Sequence, residues 1–153
     1  MPSAVQPEII DLARRIASAH GIEPALVRAV IEQESAWNPW AVRYEPGFLS
    51  RYIAPLYTAG KLSATEAYTR AMSWGLMQLM GQVAREFGFE HPSLAELCDP
   101  EAGVEWGCRV LAARLSRAHG DVAAALLAWN GAANPDYSVE VLARTRNYSS
   151  RHP

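Results

Sequence analysis

The stretch PALVRAVIEQESAW, residues 24–37, has the spacing of apolar side chains that is typical of a helix packed on a core. The apolar positions follow an i, i+1, i+4, i+5 pattern: Leu26, Val27, Val30 and Ile31. Glu34 lies on the same helix face one turn later, whereas Glu32 lies off that face, four residues after Arg28. We therefore predict a buried carboxyl at Glu34 and a solvated ion pair at Glu32.

Burial would raise the pKa of the Glu34 carboxyl, because apolar surroundings disfavour its charged form. A carboxyl that keeps its proton near neutral pH is suited to act as a general acid. The alternative is a side chain in the last turn of the helix that reaches water past Trp37 and has no chemical role. The stretch alone leaves both interpretations open.

Length and composition predict a single domain over residues 1–153. Half of the 153 residues are hydrophobic, which is enough to bury a core, and no segment reads as a linker. The formal net charge of -2, with both signs interspersed, gives no indication of nucleic-acid binding. No apolar run approaches the roughly 20 residues that span a bilayer, so we expect no membrane insertion. We expect a monomer.

Metal and cofactor sites are not indicated. The histidines are scattered along the chain: His20, His91, His119 and His152. No two of them have the HxxxH spacing of a zinc site, and motifs for acyl transfer, phosphate binding and dinucleotide binding are absent, so we expect no cofactor. Cys98 and Cys108 leave two alternatives open, a disulfide and a pair of buried free thiols.

Most of the sequence reads as helices separated by glycine and proline. The helices predicted from apolar spacing and end residues are 8–20, 24–37, 73–87, 101–118, 121–130 and 137–148. A shorter helix towards residue 72 is indicated by Ser63 and Glu66, which have the spacing of a capping box. No segment shows sustained period-two alternation, so we predict an all-α fold class with at most a small β-hairpin.

Polar side chains stand beside aromatic residues at the ends of several predicted helices: Glu34, Ser73, Gln78, Asn130 and Tyr148. Aromatic rings stack on sugar faces, while amides and hydroxyls bind the polar groups of sugars. Each of these residues alone is explained by helix capping or by a hydrogen bond in the core. Together they indicate a carbohydrate-binding cleft.

The motifs occur in a fixed order along the chain: Glu34-Ser35 with Asn38-Pro39, Gly75-Leu76-Met77-Gln78, Asp99-Pro100, Trp129-Asn130-Gly131, and Thr145 with Tyr148. This series resembles the lysozyme-like domain of soluble lytic transglycosylases over about residues 22–148. Members of that family cleave the glycan strands of bacterial peptidoglycan. The resemblance implies a lysozyme-like helical domain, peptidoglycan as the partner and Glu34 as the catalytic residue.

The resemblance also implies a mechanism with one carboxyl group, where most glycosidases use a pair. Glu34 would protonate the oxygen of the β-1,4 bond between N-acetylmuramic acid and N-acetylglucosamine, while the acetamido group of the substrate supports the positive charge. As a carboxylate it would then take the proton of the muramic acid 6-hydroxyl, which closes to a 1,6-anhydro ring. No water is consumed.

Substrate contacts are implied for residues that match the motifs of the family. Gln78 and Asn130 are expected to bind the sugar and to set its acetamido group. Tyr148 is expected to hydrogen-bond near Glu34 or the reacting sugar. Met77 is expected to form part of the cleft wall.

One further substrate contact is implied, at Ser73, and two positions, Trp129 and Arg43, depart from the family's pattern. Ser73 is expected either to contact substrate or to cap a helix. Trp129 keeps a substrate-binding ring where many relatives have a tyrosine, but it lacks the hydroxyl. Arg43 follows Ala41-Val42 where relatives often have a serine, which leaves the substrate contact of that serine without an equivalent.

The segment 43–72 is longer than the corresponding connection in many relatives and reads as an insertion. It contains Glu45, eleven residues after Glu34 and a candidate second carboxylate. If Glu45 positions a water, the chain is a hydrolytic muramidase. The alternative, favoured by the Pro-Gly directly after Glu45, is an ion pair with Arg43 or Arg51 at a surface turn. A glycan-binding module without turnover is the remaining hypothesis.

The implied place of action is the periplasm or the cell wall. The first residues lack the basic and apolar regions of a secretory signal. Together with the insertion, this favours a phage or prophage protein that is carried by a virion or released by a holin. A bacterial protein with a companion export system fits equally.

Overall fold

The computed structural model describes residues 5–149 of the chain, and helices make up most of it. Helix α1, Pro7–Ala19, leads through a turn to helix α2, Pro24–Ser35. Proline occupies the first turn of both helices, where its missing N–H costs no hydrogen bond. The apolar face predicted for α2 is buried at every position: Leu26, Val27, Val30 and Ile31.

The segment 43–72 is largely helical. Its first two residues belong to strand β1 (Val42–Tyr44). The short helical elements that follow are α3 (Pro46–Phe48), a π-helical turn (Leu49–Ile53), α4 (Ala54–Thr58) and α5 (Ala64–Arg70). The Ser63 hydroxyl accepts a hydrogen bond from the Glu66 N–H at 3.1 Å, which confirms the predicted cap of α5. A small core of its own is formed by Ile53, Ala67 and Ala71.

A three-stranded antiparallel sheet stands where the sequence predicted a long helix. Strands β2, Met72–Trp74, and β3, Leu79–Met80, form a hairpin, and β1 pairs with the other edge of β2. The helix predicted over residues 73–87 is therefore wrong in its first half, and only α6, Gly81–Glu86, is helical. The sheet has one strand more than the hairpin that the sequence allowed for.

The turn between β2 and β3 excludes a helix because two of its residues adopt the left-handed backbone conformation. Gly75 has a φ of +70° and Gln78 a φ of +51°. A Cβ atom at Gly75 would lie 2.3 Å from the Leu97 carbonyl oxygen, so only glycine fits there. Leu76 and Met77 are buried within the turn. Their apolar side chains made the stretch resemble a helix in sequence.

A 3-10 helix, Leu94–Cys98, leads into the last helices: α7, Pro100–Arg117, α8, Val122–Trp129, and α9, Tyr137–Ser149. The side chains of Asp99 and Asp121 cap α7 and α8 by accepting backbone N–H bonds. Helix α2 packs against α1 and α9, and α7 packs against α1 and α8. The predicted all-α class, with only a small sheet, is confirmed.

Cys98 and Cys108 are both buried free thiols, so the second of the two alternatives holds. Burial raises the pKa of the Cys108 thiol to about 12, which makes it unreactive. None of the helices within residues 5–149 is long and apolar enough to cross a membrane.

Candidate active site

Glu34 lies in the last turn of α2 and is held by a tyrosine from α9. The Tyr137 hydroxyl donates a 2.6 Å hydrogen bond to Oε1 of Glu34. Tyr137 is only 3% exposed, because α2 and α9 pack directly against each other. One carboxylate oxygen of Glu34 therefore has a fixed partner within the protein, and the orientation of the carboxyl is set.

The pKa of Glu34 is raised above its ordinary value, and burial is the main cause. The hydrogen bond from Tyr137, the polar edge of Trp129 and the positive charge of Arg43 favour the carboxylate and reduce the shift. Burial, and after it the Glu34 carboxylate, raise the pKa of Tyr137, so its phenol stays protonated and remains a donor. These features give Glu34 the properties of a general acid in a largely dehydrated position.

Ser35 fastens the end of α2 to the β2–β3 turn. Its hydroxyl lies 2.7 Å from the Leu76 carbonyl oxygen and 3.1 Å from the Ile31 carbonyl oxygen of its own helix. The chain then leaves the helix through Ala36 and Trp37, both with positive φ. Ser35 thus buttresses the end of α2, with the turn as its partner.

Gln78 organises the turn that faces this helix end. Its amide oxygen accepts from the Ser73 hydroxyl at 2.9 Å, and its Nε2 donates to the carbonyl oxygens of Ala41 and Gly75, both at 2.9 Å. The amide thus joins three parts of the site: strand β2 through Ser73, the turn through Gly75, and Ala41, the residue that precedes β1. Binding of a sugar by Gln78 stays a prediction, since both amide hydrogens have partners within the protein.

Ser73 and Met77 stand elsewhere than the sequence suggested. Ser73 is in strand β2, where it is buried and opposite Arg43, so the helix-cap interpretation is wrong. Met77 is fully buried and packs against Gly107 of α7. A Cβ atom at Gly107 would lie only 2.4 Å from Sδ of Met77, so the absence of a side chain there makes room for Met77. We correct its predicted place in an exposed cleft wall: it supports the turn from within the core.

Trp129 and Asn130 end α8 beside the same turn. The Trp129 ring is half-buried and lines a small cavity together with Gln78. Asn130 is also half-buried, and its Nδ2 donates to the Asn134 carbonyl oxygen at 3.3 Å. The structure therefore brings Trp129 together with Glu34 and Gln78, as the motifs predicted. Sugar binding by these two residues stays a prediction.

Tyr148, near the end of α9, contacts two residues from the first part of the chain. Its hydroxyl accepts a 3.4 Å hydrogen bond from Nε1 of Trp37, and the Arg28 guanidinium lies 4.4 Å from its ring centre. Glu34 accepts a hydrogen bond from Tyr137, which lies at the opposite end of α9 from Tyr148. A contact between Tyr148 and the reacting sugar stays a prediction.

Sequence reasoning used Tyr137 only as the start of the last helix and missed its role. The available signal was its spacing to Val141, four residues later, because both are buried on the face of α9 that packs on α2. A hydroxyl on a buried helix face requires a hydrogen-bond partner. The only carboxyl predicted on a buried face was Glu34.

The candidate second carboxylate, Glu45, has an arginine partner. Arg43 donates from Nε to Oε1 of Glu45 at 2.6 Å, which confirms the ion pair predicted as the alternative to catalysis. Arg43 lies opposite Ser73 in the sheet, so both side chains share one face. Its side chain is 75% exposed, and its charge still acts on Glu34. Arg43 is therefore part of the surroundings of the catalytic candidate.

Over residues 5–149, no three side chains of histidine, cysteine, aspartate or glutamate come together to hold a metal ion.

Comparison with known proteins adds a family to this geometry. The family described as transglycosylase SLT domain matches residues 11–150. Membrane-bound lytic murein transglycosylase C of Actinobacillus pleuropneumoniae serotype 5b (strain L20) is 39% identical over 54 residues, which are 35% of this chain and 14% of that protein. The protein of the same name from Edwardsiella ictaluri (strain 93-146) is 27% identical over 103 residues, 67% of this chain and 23% of that protein.

The matched part thus spans less than a quarter of the length of either curated relative. No solved structure gives a significant match.

Proposed function

The chain belongs to the transglycosylase SLT domain family, and we propose that it is a peptidoglycan lytic transglycosylase with Glu34 as its single general acid and base. The observation that carries this proposal is the state of Glu34: a buried carboxyl with a raised pKa, held by Tyr137 at one oxygen. The names of the relatives, both lytic murein transglycosylases, support the substrate class.

In the first step the protonated Glu34 donates to the oxygen of the β-1,4 bond between N-acetylmuramic acid and N-acetylglucosamine. Tyr137 bonds to Oε1, so the proton is carried by Oε2, and this fixes the direction from which it is delivered. The bond to the anomeric carbon breaks, and the acetamido group of the same sugar supports the positive charge that develops. The proton is available because burial raises the pKa of Glu34, which favours the neutral carboxyl at a pH where an exposed glutamate is ionised.

In the second step the Glu34 carboxylate accepts the proton of the muramic acid 6-hydroxyl, whose oxygen closes onto the anomeric carbon. The product is a 1,6-anhydromuramic acid end, and Glu34 regains its proton. The hydrogen bond from Tyr137 stabilises the carboxylate between the two steps. One group therefore alternates between acid and base, and its pKa must lie between the extremes that suit either role alone.

The remaining predicted contacts form the proposed sugar-binding surface. Trp129 and Asn130 at the end of α8, with Gln78 in the turn, are proposed to place the acetamido group. Tyr148 is proposed to contact the sugar from α9. The internal bonds of Gln78 support a second role: it holds the turn in the shape that the sugar requires.

Transglycosylation is favoured over hydrolysis by the partner of Glu45. A water-activating carboxylate has to be directed at the cleft, and Arg43 holds Glu45 in an ion pair through its Oε1. Hydrolysis requires that the other oxygen of Glu45, Oε2, reaches a water in the cleft. The muramidase and the binding module without turnover are therefore outcomes of the experiment below and not separate proposals.

Mass spectrometry of the soluble muropeptides released from purified peptidoglycan tests the proposal. We expect products lighter by one water than muropeptides with a reducing end, and no products from Glu34→Gln. Reducing products contradict transglycosylation and direct attention to Glu45. A folded wild-type chain that binds peptidoglycan but releases nothing contradicts the enzyme and leaves the binding module.

We further propose that the chain acts in the periplasm or cell wall as a monomer of one domain, with residues 43–72 as an insertion. Delivery by a virion or a holin stays a prediction. Measurement of the molecular mass of the purified chain in solution tests the monomer. Digestion of peptidoglycan by chain added to the outside of whole cells tests the place of action.

A further inference from the structure

A cavity of about 420 Å³ lies between the end of α7 and the end of α8, away from the Glu34 carboxyl. It is lined by two arginines and two small residues: Arg114, Arg117, Ala118 and Ala128. The two arginines are three residues apart, so they lie on the same side of α7. The alanines leave space beside the guanidinium groups where larger side chains would fill it.

Neither arginine has a counter-charge in the part of the chain that the structure describes, 5–149. No ion pair or hydrogen bond joins Arg114 or Arg117 to another described side chain, and Nε of Arg114 is buried without a hydrogen-bond partner. The nearest acidic residue in sequence, Asp121, uses its carboxylate to cap α8. The cavity therefore has a local excess of positive charge.

A buried donor without a partner is unfavourable, and such groups are usually satisfied by a bound water, ion or ligand. Arg28 has a similar buried Nε, but its guanidinium lies 4.4 Å from the ring centre of Tyr148. Arg114 has a more distant ring, 5.9 Å away at Phe87, and an open cavity beside it. The combination of an unpaired donor with a cavity distinguishes Arg114 from Arg28.

The cavity shares one lining residue, Arg114, with a smaller cavity at the proposed sugar-binding surface. Arg114 also lines the neighbouring small cavity, of about 50 Å³, whose other wall includes Gln78 and Trp129. A ligand that reaches the arginines can therefore be part of a molecule bound at Gln78 and Trp129. The planar guanidinium group of arginine favours carboxylates, which it binds through two parallel hydrogen bonds.

We propose that Arg114 and Arg117 form a subsite for a carboxylate of the peptide stem that peptidoglycan carries on its muramic acid. This inference rests on the proposed function, because it takes the glycan to lie at Gln78 and Trp129. The peptide branches from the sugar through a lactyl ether and carries side-chain and terminal carboxylates, so its negative charge lies to the side of the glycan strand. The subsite makes the chain prefer strands with peptide stems over bare glycan.

The test is a titration of a disaccharide with its peptide stem, and of the same disaccharide without it, into the Glu34→Gln chain. Arg114→Gln and Arg117→Gln are made in that background. We expect Arg114→Gln to bind the peptide-bearing disaccharide about 10-fold more weakly and Arg117→Gln, which is more exposed, several-fold more weakly. Binding of the bare disaccharide is expected to be unchanged in both.

Arg109→Gln is the matched control, because Arg109 is an exposed arginine of the same helix with its own partner, Glu105, at 3.0 Å. It is expected to leave both affinities unchanged. The proposal is wrong if the Arg114 and Arg117 variants bind both ligands as the parent does, or lose affinity for both equally. Arg117→Gln decides the matter even if Arg114→Gln fails to fold, because Arg117 is at the surface.

Failure of the proposed function has a different signature. A wild-type chain that cleaves neither peptide-bearing nor stripped glycan contradicts the lytic transglycosylase. The binding comparison in the Glu34→Gln background still decides whether the arginines recognise the stem, since it requires no turnover.

Discussion

Tyr137 and Glu34 are 103 residues apart in the chain and are joined by the 2.6 Å hydrogen bond from the phenol to Oε1. The bond links the first residues of α9 to the last turn of α2. Because it favours the carboxylate while burial disfavours it, the two effects together set the pKa of Glu34. Both effects depend on the contact between α2 and α9 and not on the local sequence around either residue.

Tyr137→Phe removes the donor and leaves the ring. The pKa of Glu34 is expected to rise further, because the lost hydrogen bond favoured its charged form. The alkaline limb of the pH–rate profile, where the general acid is lost, should therefore move to higher pH. Loss of orientation should lower kcat about 10-fold or more, and the free energy of unfolding should fall by about 1–3 kcal/mol.

Tyr148→Phe is the comparison for this prediction, since Tyr148 was the residue first expected beside Glu34. It should leave the alkaline limb where it is, because its hydroxyl is bonded to Trp37. The assignment of Tyr137 is contradicted if Tyr148→Phe moves the limb and Tyr137→Phe does not.

Glu34→Gln should abolish lysis and stabilise the fold above acidic pH. The folded state has a raised pKa for Glu34, so the stability associated with its proton is fully present below the ordinary pKa of 4.5 and is lost as pH rises through the folded pKa. Glutamine does not ionise and escapes this loss. The urea midpoints of wild type and variant should be closest at acidic pH and should separate as pH rises, while activity falls at least about 10³-fold.

Glu90→Gln, at an exposed carboxylate, is the control for the substitution itself. Its urea midpoint should follow that of wild type across the same pH range. A gap between wild type and Glu34→Gln that is the same at every pH would show that Glu34 titrates alike in the folded and unfolded chain.

Arg43→Gln removes a positive charge that acts on Glu34. The pKa of Glu34 should rise, and the alkaline limb of the pH–rate profile should move to higher pH. Arg43 is largely exposed, so salt screens its effect, and the difference from wild type should shrink at 1 M salt, where the Debye length is about 3 Å. The variant also frees Glu45, so the released muropeptides should be checked for reducing ends.

Arg51→Gln provides a matched loss of charge within the same segment. Its guanidinium lies 5.4 Å from the ring centre of Tyr52, and its charge is not among the influences on Glu34. An equal movement of the limb in both variants would mean that the net charge of the chain, and not Arg43, sets the pKa.

The sequence was sufficient to predict helix α2 and its buried face, because burial along a helix follows the 3.6-residue period. The apolar face was predicted from spacing and is buried. Glu34 at its end is half-buried as a residue, and burial raises the pKa of its carboxyl as predicted. Helix ends were also readable where a side chain caps them, as Ser63 does for α5. These features depend on residues within one turn of each other.

The β2–β3 turn and Tyr137 were missed because each depends on contacts between distant parts of the chain. Gln78 adopts a positive φ although it is not glycine, and it is held there by bonds to Ser73 and Ala41. No local sequence pattern predicts a positive φ at this glutamine. The motif match directed attention to Tyr148, whereas the packing of α9 on α2 selects Tyr137.

Gly75→Ala tests whether the turn requires glycine for space as well as for conformation. Its φ of +70° makes any side chain unfavourable by about 1–2 kcal/mol, and its Cβ would lie 2.3 Å from the Leu97 carbonyl oxygen, which is backbone and cannot rotate away. We expect a loss of about 3 kcal/mol or more in the free energy of unfolding, measured by urea denaturation.

Gly60→Ala separates the two causes, since Gly60 has a similar φ of +73° but no heavy atom within 4 Å of the added Cβ. It should lose only the conformational part, about 1–2 kcal/mol. Equal losses in the two variants would show that the 3-10 helix yields to the new methyl group, and the close approach of Leu97 would then not be what requires glycine. A larger loss at Gly75, together with reduced lysis by the folded fraction, means that the backbone contact with Leu97 sets the position of the turn against Glu34.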